Sequence, residues 1–330
     1  TDTITFCVDE DTMVMTVYPI PSSPFNMPDT ICQYELIGIP YLGSSGLNAT
    51  YDWTFAGGIP NIASGQGPHQ VSWSSPGLHE VALTVTENGC PSPTERDTIF
   101  VRTNPTALIG PVNDQCLVGN SFNFQQLGNF GLGATHAWTF WPNASPSTSF
   151  IQNPTGIVFS TAGPKIASVR TTDGTCSSLI DSLLFEVFPD PDALWAVLGG
   201  VQCFNGNSHQ FVANAGNGPL ATYAWTFQDG NPATSADTLP IVSFLSPGPK
   251  VVTLTVTANG CTFSHTDTVD VYPEPVVVAG PDMSFCQGDG GVGIAANVTG
   301  GTQPFYYSWS CNLGGFCGID SVFDDDPHVN

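Results

Sequence analysis

An all-β fold, copied in tandem, is predicted by three observations. A Cys is followed 21 to 23 residues later by a Trp four times, at Cys32 and Trp53, Cys116 and Trp138, Cys203 and Trp225, and Cys286 and Trp309; the tryptophans stand 85, 87 and 84 residues apart. A fixed period of that length marks one small domain duplicated head to tail. The composition is rich in turn formers, with 35 Gly and 28 Pro in 330 residues, which suits short strands joined by tight turns. Finally, the run Val251 to Thr257 alternates, placing Val252, Leu254 and Val256 on one face and Thr253 and Thr255 on the other, the pattern of a half-buried strand.

The third repeat supplies the elements in order. A strand is predicted around His209 to Ala213, then the Trp-bearing strand Tyr223 to Phe227, then Ile241 to Leu245 with Val242 and Phe244 on one face. The alternating run follows and ends at Asn259-Gly260, a dipeptide that supplies positive φ at a two-residue hairpin turn. The chain then returns through Thr268-Val269-Asp270-Val271. The first repeat matches with Val81, Leu83 and Val85 before Asn88-Gly89-Cys90. The second offers Ala167, Val169 and Thr171 before Asp173-Gly174-Thr175-Cys176, a less apolar face that predicts the weakest core of the three. About seven short strands per repeat, with a Trp on a central one, fit two antiparallel sheets packed face to face in an immunoglobulin-like sandwich.

The period sets the boundaries: the end of a preceding repeat at 1–19, repeats at 20–103, 104–189 and 190–273, and the start of a further one at 274–330. Cys7 stands 25 residues before Cys32, as Cys90, Cys176 and Cys261 stand 26, 27 and 25 before the next opening Cys, so it is expected to close an earlier repeat. The junctions are Tyr18-Pro19-Ile20-Pro21, Thr103-Asn104-Pro105, Phe188-Pro189-Asp190-Pro191 and Tyr272-Pro273-Glu274-Pro275. Proline fixes φ and favours extended geometry, so these links predict a semi-rigid rod.

Five Lys and Arg against 28 Asp and Glu give a net charge of -23, which argues against nucleic-acid backbones and anionic lipid as partners. With 41% apolar and only 10% charged residues the chain has the material for packed cores. No long apolar run predicts membrane insertion. Ten Cys, none in a CxxC pair, fit an oxidised extracellular framework. The favoured pairing is within repeats, Cys32 to Cys90, Cys116 to Cys176 and Cys203 to Cys261, which uses one opening and one closing Cys per repeat; the rival crosses each junction, as Cys90 to Cys116. A sandwich weighs against the first, because its opening turn and last hairpin turn can lie at opposite ends, beyond the roughly 7 Å reach between bonded Cα atoms. Cys311 and Cys317 are expected to close a small loop after Trp309.

The segments Trp53 to Gly58 and Trp225 to Gly230, of the form Trp-Thr-Phe-x-x-Gly, with Pro76-Gly77-Leu78-His79 or Pro247-Gly248-Pro249-Lys250 opening the next alternating strand, resemble the PKD (polycystic kidney disease) domain family. Ala279 to Gly288 and the Asn-Gly-Cys turns look like the PKD-like tandem repeats of very large secreted or cell-surface proteins of Bacteroidota, gliding-motility adhesins among them. The resemblance covers nearly the whole chain and implies an immunoglobulin-like sandwich and a cell-surface or secreted location. Thr54, Thr139 and Thr226 stand where the family usually has Asp, and the second repeat departs further with Trp141-Pro142 after its Trp-Thr-Phe.

The tripeptide Asp-Ser/Thr-aliphatic resembles the O-glycosylation acceptor motif of the same phylum, and makes candidate acceptors of Thr3, Thr12, Thr30, Thr98, Ser182, Thr238, Thr268 and Ser321. The competing reading is an Asp turn leading into a strand. Acidic groups at Asp9-Glu10-Asp11, at Asp190 with Asp192, and at Asp324-Asp325-Asp326 have the oxygen ligands that Ca²⁺ takes but match no EF-hand or Gly-Asp repeat. No cofactor is otherwise expected. No His-Glu-x-x-His, Gly-x-Ser-x-Gly or phosphate-loop motif is present, and the chain is read as a non-enzyme. Trp53, Trp138, Trp225 and Trp309 are read as core, and Trp73, Trp141 and Trp195 as the candidates for exposed aromatic contacts. The function expected is a stiff adhesive stalk or filament in a giant extracellular or cell-surface protein, whose partners are surface glycans, other proteins or copies of itself. The alternatives are a self-assembling structural filament and accessory glycan-binding repeats of a secreted hydrolase.

Overall fold

The computed structural model describes residues 11–282, 284, 292–293, 295–303, 305–308 and 328–329, and among these every regular element is a β-strand. Two compact units are formed, one holding the first repeat and most of the second, the other holding the third repeat, the segment after it, and residues 114–120 and 161–163. The fold is an all-β tandem array of immunoglobulin-like sandwiches.

In the first repeat the strands are β1 Thr30–Cys32, β2 Ile37–Ile39, β3 Thr50–Phe55, β4 Gly58–Ile59, β5 Ile62–Ser64, β6 His69–Trp73, β7 Gly77–Glu87, β8 Cys90–Pro91 and β9 Glu95–Arg102. One sheet has the order β1-β9-β7-β3-β5, with β8 on β7; the other has β2-β6-β4. All neighbours run antiparallel except β1, which lies parallel to β9 with Cys32 opposite Arg102. The second repeat repeats the larger sheet as Gln115–Cys116, Asp181–Phe188, Gly163–Asp173, Thr135–Trp141 and Thr148–Ser149. The third does so as Gln202–Cys203, Cys261–Tyr272, Gly248–Ala258, Thr222–Phe227 and Thr234–Ser235.

Alternation decides which side chains enter the core. Trp53, Trp138 and Trp225 are each 1% exposed, and each stacks on the Phe two residues later. Opposite them on the neighbouring strand sit Leu83, Val169 and Leu254, all fully buried. Trp309 lies outside the described residues. The outer face of the third repeat's last hairpin is filled by hydroxyl pairs, Thr253 with Thr266, Thr255 with Ser264 and Thr257 with Thr262, which cap the solvent side of the strands.

The turns follow the residues that supply positive φ. Asn88-Gly89 and Asn259-Gly260 have both residues there, the two-residue hairpin form that matches strand twist. In the second repeat only Gly174 is positive, and Thr175 completes the same loop length. After Trp-Thr-Phe the positive-φ residue comes two positions on, at Gly57 and Asp229, but three on at Asn143 in the second repeat. The Trp141-Pro142 departure is therefore a one-residue insertion in an otherwise retained turn.

The core of the second repeat is more polar than its neighbours. The cross-strand pair Tyr51 and Val85 of the first repeat, and Tyr223 and Val256 of the third, becomes His136 and Thr171. The Thr171 hydroxyl contacts both Gln126 Nε2, at 2.6 Å, and His136 Nδ1, at 3.1 Å, so the buried polar groups satisfy one another. Burial also lowers the pKa of His136.

The third repeat carries a different burden in His209, which is fully buried with neither ring nitrogen hydrogen-bonded, its ring edge-on to Phe244 at 5.4 Å. Ile37 and Phe122 hold the matching position, each facing the equivalent of Val242. Burial depresses the imidazole's pKa below the usual 6.5, so the folded state holds it neutral. Its contribution is fully present above about pH 6.5 and falls as pH drops from there toward the folded-state value, at up to about 1.4 kcal/mol per pH unit. His209→Phe is expected to stabilise the third repeat by about 1 to 3 kcal/mol, since it removes two unpaired buried nitrogens. Urea denaturation near neutrality and at about pH 5 checks it, the gain being larger in acid; an equal gain at both would contradict the titration argument.

Candidate functional site at the repeat junctions

The opening Cys of each repeat stands at the end of the first strand, level with the end of the last: Cys32 opposite Arg102, Cys116 opposite Phe188 and Cys203 opposite Tyr272. The closing Cys follows the hairpin turn that starts the last strand. The eight residues of β9, at about 3.3 Å each, put roughly 26 Å between these ends. A disulfide needs Cα atoms within about 7 Å, so a bond inside one repeat is excluded by distance.

The bonds found are Cys32–Cys176 and Cys116–Cys261, with Cα separations of 5.5 and 5.6 Å. Each joins the opening Cys of one repeat to the turn Cys of the next. Both expected schemes are thereby corrected. Cys32 to Cys90, Cys116 to Cys176 and Cys203 to Cys261 fail on distance, and Cys90 to Cys116 takes the wrong cysteine from each of the two repeats, the junction being closed by Cys32 and Cys176. Among the described cysteines Cys90 and Cys203 are thiols. Cys7, Cys286, Cys311 and Cys317 lie outside the described residues.

Each bond is reinforced by the linker beside it. In the first junction the Asn104 N–H donates to Gln33 Oε1 at 3.2 Å and the Asn104 amide donates to the Gln33 carbonyl at 3.1 Å. In the next, the Val118 N–H donates to Asp190 Oδ1 at 3.2 Å, and after the third repeat the Asn205 N–H donates to Glu274 Oε1 at 3.0 Å. The linker residue thus ties back each time to the turn that follows the opening Cys. At the first junction Arg102 also pairs with Asp173 at 3.6 Å, and a Cβ on Gly174 would run into its guanidinium. The hairpin turn of the second repeat rests on the strand end of the first.

Asp190 is therefore engaged as a linker carboxylate. Asp192 is engaged too: hydrogen bonds from the Asn214 amide and the Leu194 N–H hold its carboxyl below the ordinary range. Among the described residues no three His, Cys, Asp or Glu side chains come together as a metal site. The candidate clusters at Asp9-Glu10 and Asp324-Asp325-Asp326 lie outside the described residues. Among the described residues no helix is long and apolar enough to cross a membrane.

The aromatic candidates divide. Trp141 is 67% exposed. Trp73 is fully buried, its indole donating to the Ala56 carbonyl at 3.0 Å, which corrects the reading of it as a surface residue. It faces inward from β6 at the position that Phe159 and Phe244 hold in the other repeats. Trp195 is half-buried against Trp225 and Phe211, on a strand Trp195–Leu198 that pairs with His209–Ala213, and is likewise no free surface.

Thr12, Thr30, Thr98, Ser182, Thr238 and Thr268 are all solvent-exposed. Asp97 and Asp267 accept the next residue's N–H, at 2.7 and 2.8 Å, the local turn bond of the competing reading, while the adjacent hydroxyls stay in solvent. Thr3 and Ser321 lie outside the described residues.

No protein-family model matches the chain, and no curated protein does. Solved structures are similar at low identity. The N-terminal eight Ig domains of Down Syndrome Cell Adhesion Molecule match at 10% identity and a TM-score of 0.40, covering 94% of this chain and 45% of that one. This chain thus spans under half the length of that structure. Three Ig domains of titin match at 8% identity and a TM-score of 0.37, covering 78% and 100%, and the FN1-FN3 domains of chicken CNTN1 at 9% and 0.26, covering 76% and 99%.

Proposed function

We propose that the chain is a load-bearing segment of an extracellular or cell-surface protein, a stiff acidic stalk that holds an adhesive surface away from its anchor. The observation that carries this reading is the offset disulfide. A bond from each repeat to the next, beside a short proline linker, opposes bending at the place where tandem domains usually hinge. Such bonds persist in an oxidising compartment, which supports secretion. The net charge of -23 keeps so large a strand surface soluble and apart from anionic partners. The partners proposed are surface glycans or proteins met by the adhesive end, and no catalytic role is assigned.

Small-angle scattering of the oxidised and the reduced protein tests it. The oxidised chain is expected to give an elongated particle of one length, and reduction a broader, shorter distribution; a compact particle, or one unchanged by reduction, would refute the stalk. The exposed Asp-Ser/Thr acceptors are proposed to carry O-linked sugar. The intact mass of the natural protein should then exceed the polypeptide mass by sugar units, and a bare mass would refute that.

A further inference from the structure

The first two junctions define a seat. An opening Cys, the end of the last strand and the linker receive the Cys-bearing turn of the following repeat. In the filled junctions the turn Cys is buried, Cys176 and Cys261 being 1% exposed each. At the third repeat every part of the seat is present: Cys203 is opposite Tyr272, Glu274 is tied to Asn205, and Cys203 is exposed as a thiol. A cleft of about 790 Å³ opens there, lined by Gln202, Cys203, Tyr272, Pro273, Val277 and Phe305. Tyr272 holds the strand-end position from which Arg102 supports the turn at Gly174. Cys90 is the complementary half, a turn Cys only part-buried and unbonded.

We infer that Cys203 and its cleft receive the Cys-bearing hairpin turn of the repeat that begins near Glu274, and that Cys90 bonds the opening Cys of the repeat before its own. The spacing follows the observed bonds, 144 and 145 residues between partners. A two-residue hairpin turn fits because its backbone is compact; at the first junction Gly174 also leaves room for Arg102, whereas at the second Gly260 meets nothing within 4 Å. Each closure is a two-electron oxidation: two thiols give up two protons and two electrons, one S–S bond forms, and a disulfide-bearing oxidant is reduced to two thiols. Every interior repeat would then be held by two bonds, one forward and one back.

Peptide mapping of the natural secreted protein without reduction tests this, with light and heavy isotope-labelled protein mixed before oxidation. The Cys203 peptide is expected linked to a turn Cys 144 or 145 residues further along the natural polypeptide, in chains of one isotope only. A Cys203 thiol, a bond to any other Cys, or a mixed-isotope link would overturn the inference. Cys203→Ser should release one new alkylatable thiol in that turn and leave Cys32–Cys176 and Cys116–Cys261 linked; no new thiol would also overturn it.

Discussion

Replacing Cys32 and Cys176 together with Ser is expected to destabilise the first two repeats by about 2 to 5 kcal/mol and to split their unfolding into separate transitions. The bond closes a sequence separation of 144 residues, long enough that the lost freedom of the unfolded chain dominates. It also makes two repeats unfold together, since neither can leave the native arrangement without pulling on its neighbour's turn. The paired variant is the right one, because a single replacement leaves a reactive partner thiol. Cys116→Ser with Cys261→Ser should act likewise on the second and third repeats. Removing both bonds should cost more than the sum of the two, because their loops share residues 116–176 and whichever bond is left in place still restricts the unfolded chain. Urea unfolding followed by hydrogen exchange in each repeat reads all four quantities; an unchanged midpoint in either paired variant would show that the native bond stores as much strain as it removes entropy.

The all-β class was legible because alternation and turn chemistry are local. Val252, Leu254 and Val256 declare one buried face within five residues, and Asn259-Gly260 declares the hairpin that follows. The disulfide pattern was not legible, because it depends on the parallel pairing of β1 with β9, about 70 residues away in sequence. A three-residue strand carries no period to read, yet it moves Cys32 the length of the domain. The objection that the first turn and last hairpin lie at opposite ends was sound, and combined with tandem order it leads to the bond found: the far end of one repeat is the near end of the next. Trp73 was misread for a different reason. Its position repeats as Phe159 and Phe244, so what recurs there is an aromatic ring and not Trp itself. His209 hides in the same way, at a site where Ile37 and Phe122 are the usual solution.

The core tryptophans should rank by repeat in a way that residue type does not predict. Trp225→Ala is expected to cost about 3 to 5 kcal/mol, and a domain of this size has a total stability on the order of 4 to 13 kcal/mol. The third repeat would therefore be near or past its unfolding point. The gentler change to Phe separates the packing term from the polar one. Trp53 Nε1 donates to the Gly65 carbonyl at 3.1 Å and Trp225 Nε1 to the Asp237 carbonyl at 2.8 Å, each acceptor 12 residues on. Trp138 Nε1 is buried with no partner, and the insertion at Trp141-Pro142 falls inside the interval that places the acceptor in the other repeats. Trp53→Phe and Trp225→Phe lose a hydrogen bond as well as opening a cavity, whereas Trp138→Phe opens the cavity and relieves an unpaired donor. The cost at Trp138 should be smaller by about 1 to 3 kcal/mol. Exchange protection of the strand bearing each residue reads the three repeats separately in one chain, and an equal loss at Trp138 and Trp225 would mean that the indole bonds contribute nothing net, leaving packing alone to hold the second sheet against the first.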